Sequence, residues 1–175
     1  AVCQRLRKVL DAEGTLDVFR SGIDMVGLRH RLALAQFRPA FSVNEDLVRR
    51  YRANIVRLVH QVHYSVKNAN SLDMVLFVNG MPFATFELKT RSTQSVEITK
   101  DQYRFDRQPK GEPLLELPRG AVVHFAVDNA EVYMTTRLAG PSTSFLPFNK
   151  GDKGGKGGKG NPANPDGNPT DYLFN

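Results

Sequence analysis

The sequence holds a single cysteine, Cys3, among 175 residues. No disulfide can form within the chain, and a zinc site built on cysteine thiolates is excluded. A lone thiol suits a reducing compartment, and we expect the cytoplasm. No apolar run reaches the roughly 18 residues that a membrane span needs. No basic-then-apolar leader opens the chain, so neither a membrane partner nor a signal peptide is expected. An initiator Met is also missing: the chain starts at Ala1 and stops after Phe174-Asn175, and we read it as a piece of a longer protein.

What is present fits an ordinary globular domain. Hydrophobic residues make up 41% and charged residues 24%, enough to bury one core at this length. The net charge of +6 and pI of about 9.6 permit a phosphate-rich partner without demanding one.

Val2, Leu6, Val9 and Leu10 recur at helical spacing, with Gly14 as the stop. Residues 28–37 alternate, which predicts a strand ended by Pro39. Asn44-Glu45-Asp46 reads as the capped start of a second helix. From Val56 the period becomes two, placing Val56, Leu58, His60, Val62, Tyr64 and Val66 on one side of a strand. After a turn at Asn68–Ser71, strands Leu72–Val78 and Phe83–Lys89 flank Asn79-Gly80-Met81-Pro82, a strong hairpin signal. A polar helix is expected over 96–107, and a second hairpin joins Ala121–Val127 to Glu131–Arg137. Beyond residue 148 the chain turns rich in Gly, Pro, Asn and Lys. Residues 149–175 are expected to be a loop or linker after a domain spanning 1–148. The Gly-Lys tract lacks the Gly-Lys-[Ser/Thr] ending of a phosphate loop, so no ATP site is expected in this stretch. Helices interspersed with strands predict an α/β or α+β domain with a mixed sheet.

Alternate strand residues share a face, so Glu87 and Lys89 project together. Asp73 joins them only in one hairpin register. A two-residue loop at Asn79-Gly80 would set Asp73 opposite Phe86, with Glu87 facing away. A three-residue loop, Asn79–Met81, pairs Asp73 with Glu87. We expect the three-residue loop or an equivalent bulge. Two carboxylates and a lysine on one face suit phosphodiester hydrolysis. Carboxylate oxygens hold Mg²⁺, which keeps several waters, and the Leu88 carbonyl could add a ligand. The lysine would orient a water and stabilise developing negative charge. An acidic residue two before a lysine is by itself a weak signal, and a salt bridge at a strand end is the plain alternative.

The stretch Ser71-Leu72-Asp73-Met74-Val75-Leu76-Phe77-Val78-Asn79-Gly80-Met81-Pro82, running into Phe86-Glu87-Leu88-Lys89, closely resembles the nuclease motif of type I restriction enzyme R subunits. So do Arg119–Asp128 with Tyr133-Met134-Thr135-Thr136, and Phe145–Gly151. The resemblance covers nearly the whole chain. It implies a PD-(D/E)xK restriction-endonuclease-like fold, a mixed sheet flanked by helices. It also implies that Asp73 and Glu87 bind Mg²⁺, with Mn²⁺ as a substitute, and that Lys89 is the catalytic lysine. The family carries a Gln-x-x-x-Tyr motif on the next helix. Gln102 fits its first position; four residues later stands Asp106, while Tyr103 adjoins the glutamine. Leu72 replaces a proline before Asp73. The resemblance further implies a downstream ATP-driven translocase outside this sequence. Its partners would be double-stranded DNA and the modification and specificity subunits of a restriction complex. Two alternatives stand beside the nuclease: a non-catalytic docking module of the same complex, and a stand-alone repair or resolving nuclease.

Lys100, Tyr103, Arg104 and Arg107, beside Gln102, are candidate DNA contacts, as are Arg49 and Arg50 on the second helix. A solvated face is the default reading of the latter pair. His60 and His63 lie three apart on a strand and face opposite ways, so they are not expected to share a metal, and His60 is expected in a polar pocket of the sheet. His124 is expected to be a satisfied core histidine, and Cys3 a small core residue.

Overall fold

A computed structural model describes residues 2–65, 67–89, 95–128 and 131–148. The expected linker 149–175, Val66, and the turn residues Asn129 and Ala130 lie outside the described residues.

The elements run α1 (Val2–Glu13), α2 (Thr15–Ser21), α3 (Glu45–Arg52), β1 (Val56–His63), β2 (Ser71–Val78), β3 (Met81–Leu88), α4 (Val96–Asp101), a π-helical turn (Gln102–Asp106), β4 (Val123–Val127), β5 (Val132–Thr135) and a short β6 (Leu146–Pro147). The six strands form one sheet in sequence order. Only β3 and β4 are parallel, and every other neighbouring pair is antiparallel. The fold is therefore the mixed sheet with flanking helices that the sequence predicts. A parallel pair needs a crossover rather than a hairpin. Here α4 and the π-helical turn lie within it.

Those crossover helices cover one face of the sheet. Tyr103 packs with Leu72, Val75, Leu115 and Leu138, and Val96 with Ala126 and Tyr133. The other face is built on Ala84, Phe86, Phe125, Val127 and Val132, with Phe148 edge-on to Phe125 at 5.0 Å. A third cluster, Val9, Val18, Phe19, Ile23 and Met81, fastens α1 and α2 to the hairpin end of β2 and β3. Cys3 lies on the exposed side of α1, not in this core as expected. The apolar stripe of α1 runs through Leu6, Val9 and Leu10 and leaves position 3 facing solvent.

Helix α3 starts as its sequence predicts. The Asn44 side chain accepts from the Leu47 N–H at 3.2 Å, and Glu45 and Asp46 sit in the first turn. The predicted strand over 28–37 does not form; its only bridge is Leu32 with Ile23. Asparagine side chains take the backbone groups that a strand partner would have used. Asn54 accepts from the Gln36 N–H (3.2 Å) and donates to its carbonyl (2.7 Å), and Asn79 donates to the Leu34 carbonyl (2.7 Å). The alternation survives only as Leu32, Leu34 and Ala35 packing against the α1–α2 cluster. β1 forms where expected, but as an edge strand exposed on both faces, with only Val62 half-buried. His60 is accordingly exposed rather than pocketed.

Candidate active site

The β2–β3 hairpin decides which side chains can meet. Its turn has two residues, Asn79 and Gly80, with φ of 50° and 84°. Positive φ at both central positions is the type I′ geometry that matches strand twist. A bulge then inserts one residue into β3: Phe77 pairs with Pro82, while Leu76 pairs with Ala84. The shifted register continues through Val75–Thr85 and Met74–Phe86, which brings Asp73 level with Glu87. The expected bulge is present, on a two-residue loop instead of a three-residue one.

Asp73 and Glu87 thus share a face at the end of the hairpin remote from the turn. The Asp73 Oδ2 accepts the Leu88 N–H at 2.8 Å. The Leu88 backbone is therefore turned towards Asp73, and a strand residue's N–H and C=O point to the same side. Glu87 is fully buried. Its Oε1 accepts from the Arg107 Nε–H at 2.7 Å, while Oε2 is buried with no hydrogen-bond partner. Burial pushes the Glu87 carboxyl up to about 7; Arg107 opposes the rise, and the neighbouring Asp73 carboxylate adds to it. The two carboxyl groups lie close enough to share a hydrogen bond when one is protonated. An unpartnered oxygen on a buried carboxylate, set beside a second, half-buried one, is a strong draw for a cation.

The family model for the type I restriction enzyme R protein N terminus matches residues 44–143. The chain belongs to this family. The match runs from the cap of α3 past β5 and takes in the hairpin and both carboxylates. Neither the curated proteins nor the solved structures yield a match to the chain.

In this restriction-subunit domain Lys89 follows directly on β3. Its N–H extends the ladder to the Val127 carbonyl at 2.9 Å, and strand alternation keeps it on the Glu87 face, half-buried. Gln102 opens the π-helical turn, and its side-chain oxygen is buried without a partner. Among the described residues no group of three or more His, Cys, Asp or Glu side chains comes together. The carboxylate set is the pair alone. That fits Mg²⁺, which takes one or two protein carboxylates and keeps waters for its remaining positions.

The structure redistributes the proposed DNA contacts. Tyr103 is fully buried: its hydroxyl lies 2.8 Å from Thr85 Oγ1, which lies 2.7 Å from His124 Nδ1. Tyr103 has no surface to offer a duplex. Lys100 is buried too, donating to Glu97 at 2.7 Å with its ammonium 3.2 Å from the centre of the Tyr133 ring. Both were predicted to reach DNA because they neighbour Gln102 in sequence, yet the helix turns them into the sheet. Arg104 remains partly exposed, paired with Asp101 at 3.0 Å and lying over Phe145. Arg107 points at Glu87 instead of outward. Arg49 and Arg50 are exposed on α3 and both pair with Asp46. The residues after α3 bind the hairpin turn, with Ile55 accepting from the Asn79 N–H at 2.8 Å. These arginines therefore sit beyond the turn end of a hairpin in which the five steps from Asp73 to Val78 span roughly 16 Å.

His124 is buried in mid-strand, as its apolar neighbours suggest, and burial lowers its ring pKa to about 4, so it is neutral at physiological pH. Its Nδ1 meets Thr85, whereas Nε2 is buried without a partner, so the histidine is half satisfied. Sequence reasoning missed Gln61. Held at a φ of 52°, it donates to Asp73 Oδ1 across a long 3.5 Å and accepts from Ser71 at 3.4 Å. A positive φ outside glycine leaves no clear mark in a sequence.

Proposed function

We propose that this domain is the Mg²⁺-dependent DNA endonuclease domain of a type I restriction R subunit, acting after ATP-driven translocation by a motor elsewhere in the protein. The supporting observation is the convergence of Asp73 and Glu87 at one end of the hairpin, where Glu87 keeps one buried oxygen without a partner and Lys89 follows two positions on along the strand direction. Asp73, Glu87 and the Leu88 carbonyl would hold the ion. When bound, Mg²⁺ neutralises phosphate charge and lowers the pKa of a coordinated water. Lys89 orients the attacking water and stabilises charge on the phosphate oxygens. Gln102 offers a carbonyl oxygen and an amide from the adjoining helix for the water or the DNA backbone. Nothing in this set reads bases, which fits cutting at a distance from a site recognised by other subunits. Modification and specificity subunits, double-stranded DNA and a cytoplasmic setting belong to this same reading.

The test is calorimetric titration of Mn²⁺, as a Mg²⁺ substitute, into the 175-residue chain and into Asp73→Ala. Binding to the wild type that disappears in the variant is the expected result. Nicking by the whole subunit would then fall with Asp73→Ala, Glu87→Gln and Lys89→Ala. Equal binding by both proteins, or none by either, overturns the metal site and favours a docking module.

A further inference from the structure

The helix after β3 delivers a different residue to the carboxylates than its sequence spacing suggests. In an α-helix, Asp106 would lie one turn beyond Gln102 on the same face. Instead the turn is π-helical, and the Arg107 N–H reaches the Gln102 carbonyl at 2.9 Å, an i to i+5 closure. The extra residue per turn brings Arg107 into line with Gln102. Asp106 is left exposed, its carbonyl accepting from the Asn70 side chain at 3.3 Å.

We propose that Arg107 is the positioning residue for Glu87. This inference rests on Asp73 and Glu87 forming a cation site. The Arg107 side chain is 12% exposed and the Glu87 side chain 1%, so the bond meets Glu87 inside the fold. The bond is one-handed: Nε takes Oε1 at 2.7 Å and leaves Oε2 buried without a hydrogen-bond partner. A charge-assisted hydrogen bond from a guanidinium is among the stronger ones, and it pins the carboxylate oxygen that it reaches. Arg107 thereby sets the rotamer of Glu87 and offsets part of the repulsion between the two carboxylates before an ion arrives. Groups that hydrogen-bond a ligating carboxylate govern metal affinity even though they never touch the metal.

The experiment compares Mn²⁺ affinity, by calorimetry, for the wild-type chain, Arg107→Gln, Arg107→Lys and Asp106→Ala, with thermal unfolding of each in EDTA. Arg107→Gln is expected to weaken Mn²⁺ binding by about 10- to 100-fold. Arg107→Lys should recover part of that loss, and Asp106→Ala should bind as the wild type does. If Arg107→Gln does not fold, Arg107→Lys decides: weaker binding at an unchanged unfolding midpoint supports the role, and unchanged affinity overturns it. Wild-type or tighter binding by Arg107→Gln overturns it too, and would make Arg107 a competitor of the ion. A wild-type chain that binds no Mn²⁺, or an Asp73→Ala chain that binds equally, overturns the cation site and this role together. Binding that is lost in Asp73→Ala but unaltered in Arg107→Gln overturns this role alone.

Discussion

A carboxyl group sealed from water and set beside a second carboxylate keeps its proton longer, and Glu87 is pushed up to about 7 from an ordinary 4.5. Between those two values the folded protein holds a proton that the unfolded chain has released. Stability contributed by this group is therefore lost as pH rises through that window, by an amount on the order of 3 kcal/mol. Glu87→Gln is neutral throughout and escapes the loss. Urea unfolding in EDTA should find the variant gaining on the wild type between pH 5 and pH 8; an equal difference at both pH values would refute the shift. His124 works in the opposite sense, since its lowered pKa costs stability as pH falls from 6.5 towards 4. That contribution is common to both proteins and cancels in their difference. Tyr103 carries a separate prediction. Its hydroxyl meets Thr85 in the core, so Tyr103→Phe should cost about 1–3 kcal/mol of stability. Its DNA affinity should match that of the wild type, and a selective loss of DNA binding in a fully stable variant would contradict the burial.

At the scale of elements, the hairpin register matters most. The Asn-Gly turn was legible, because few residues other than Asn and Gly tolerate positive φ at two successive positions. The bulge at Pro82–Phe83 was legible only as a requirement: without one extra residue Asp73 would face Phe86. The strand expected at 28–37 failed for a reason outside its own sequence, since Asn54 and Asn79 reach in from α3's end and the hairpin to bind its backbone. Two glycines separate local strain from crowding. Gly80 has a φ of +84° with open space around it, so Gly80→Ala is strained by its backbone alone, at about 1 kcal/mol. Gly22 has a φ of +68°, and a Cβ there would lie 2.3 Å from the Leu32 carbonyl oxygen. Gly22→Ala should be clearly the more destabilising in thermal unfolding. Equal midpoints for the two variants would show that the 23–32 bridge is not held this tightly.

For the whole molecule, the distribution of charge sets where a duplex could lie. Arg104 stands near the carboxylate end, whereas Arg49 and Arg50 stand at the turn end and are already shared with Asp46. A duplex spanning both ends would release counterions at both. On that reading, reversing Arg49 and Arg50 to Glu should weaken DNA binding and flatten its dependence on salt. A salt slope identical to that of the wild type would confine the duplex to the carboxylate end. The family match from residue 44 to 143 covers both ends, and α1 and α2, outside the matched residues, pack against the turn end of the hairpin.

The sequence by itself determined the mixed α/β character, the capped start of α3, both hairpins and the family, because each depends on periodicity, turn chemistry or a run of residues in order. It also narrowed the carboxylates to Asp73 and Glu87, conditional on one register. Only the tertiary structure decided that the register is met, that Tyr103 and Lys100 face inward, and that Arg107 meets Glu87. Those outcomes depend on a bulge in one strand and a widened turn in one helix. Each adds a residue to a repeat, and one added residue redirects the side chains that follow it.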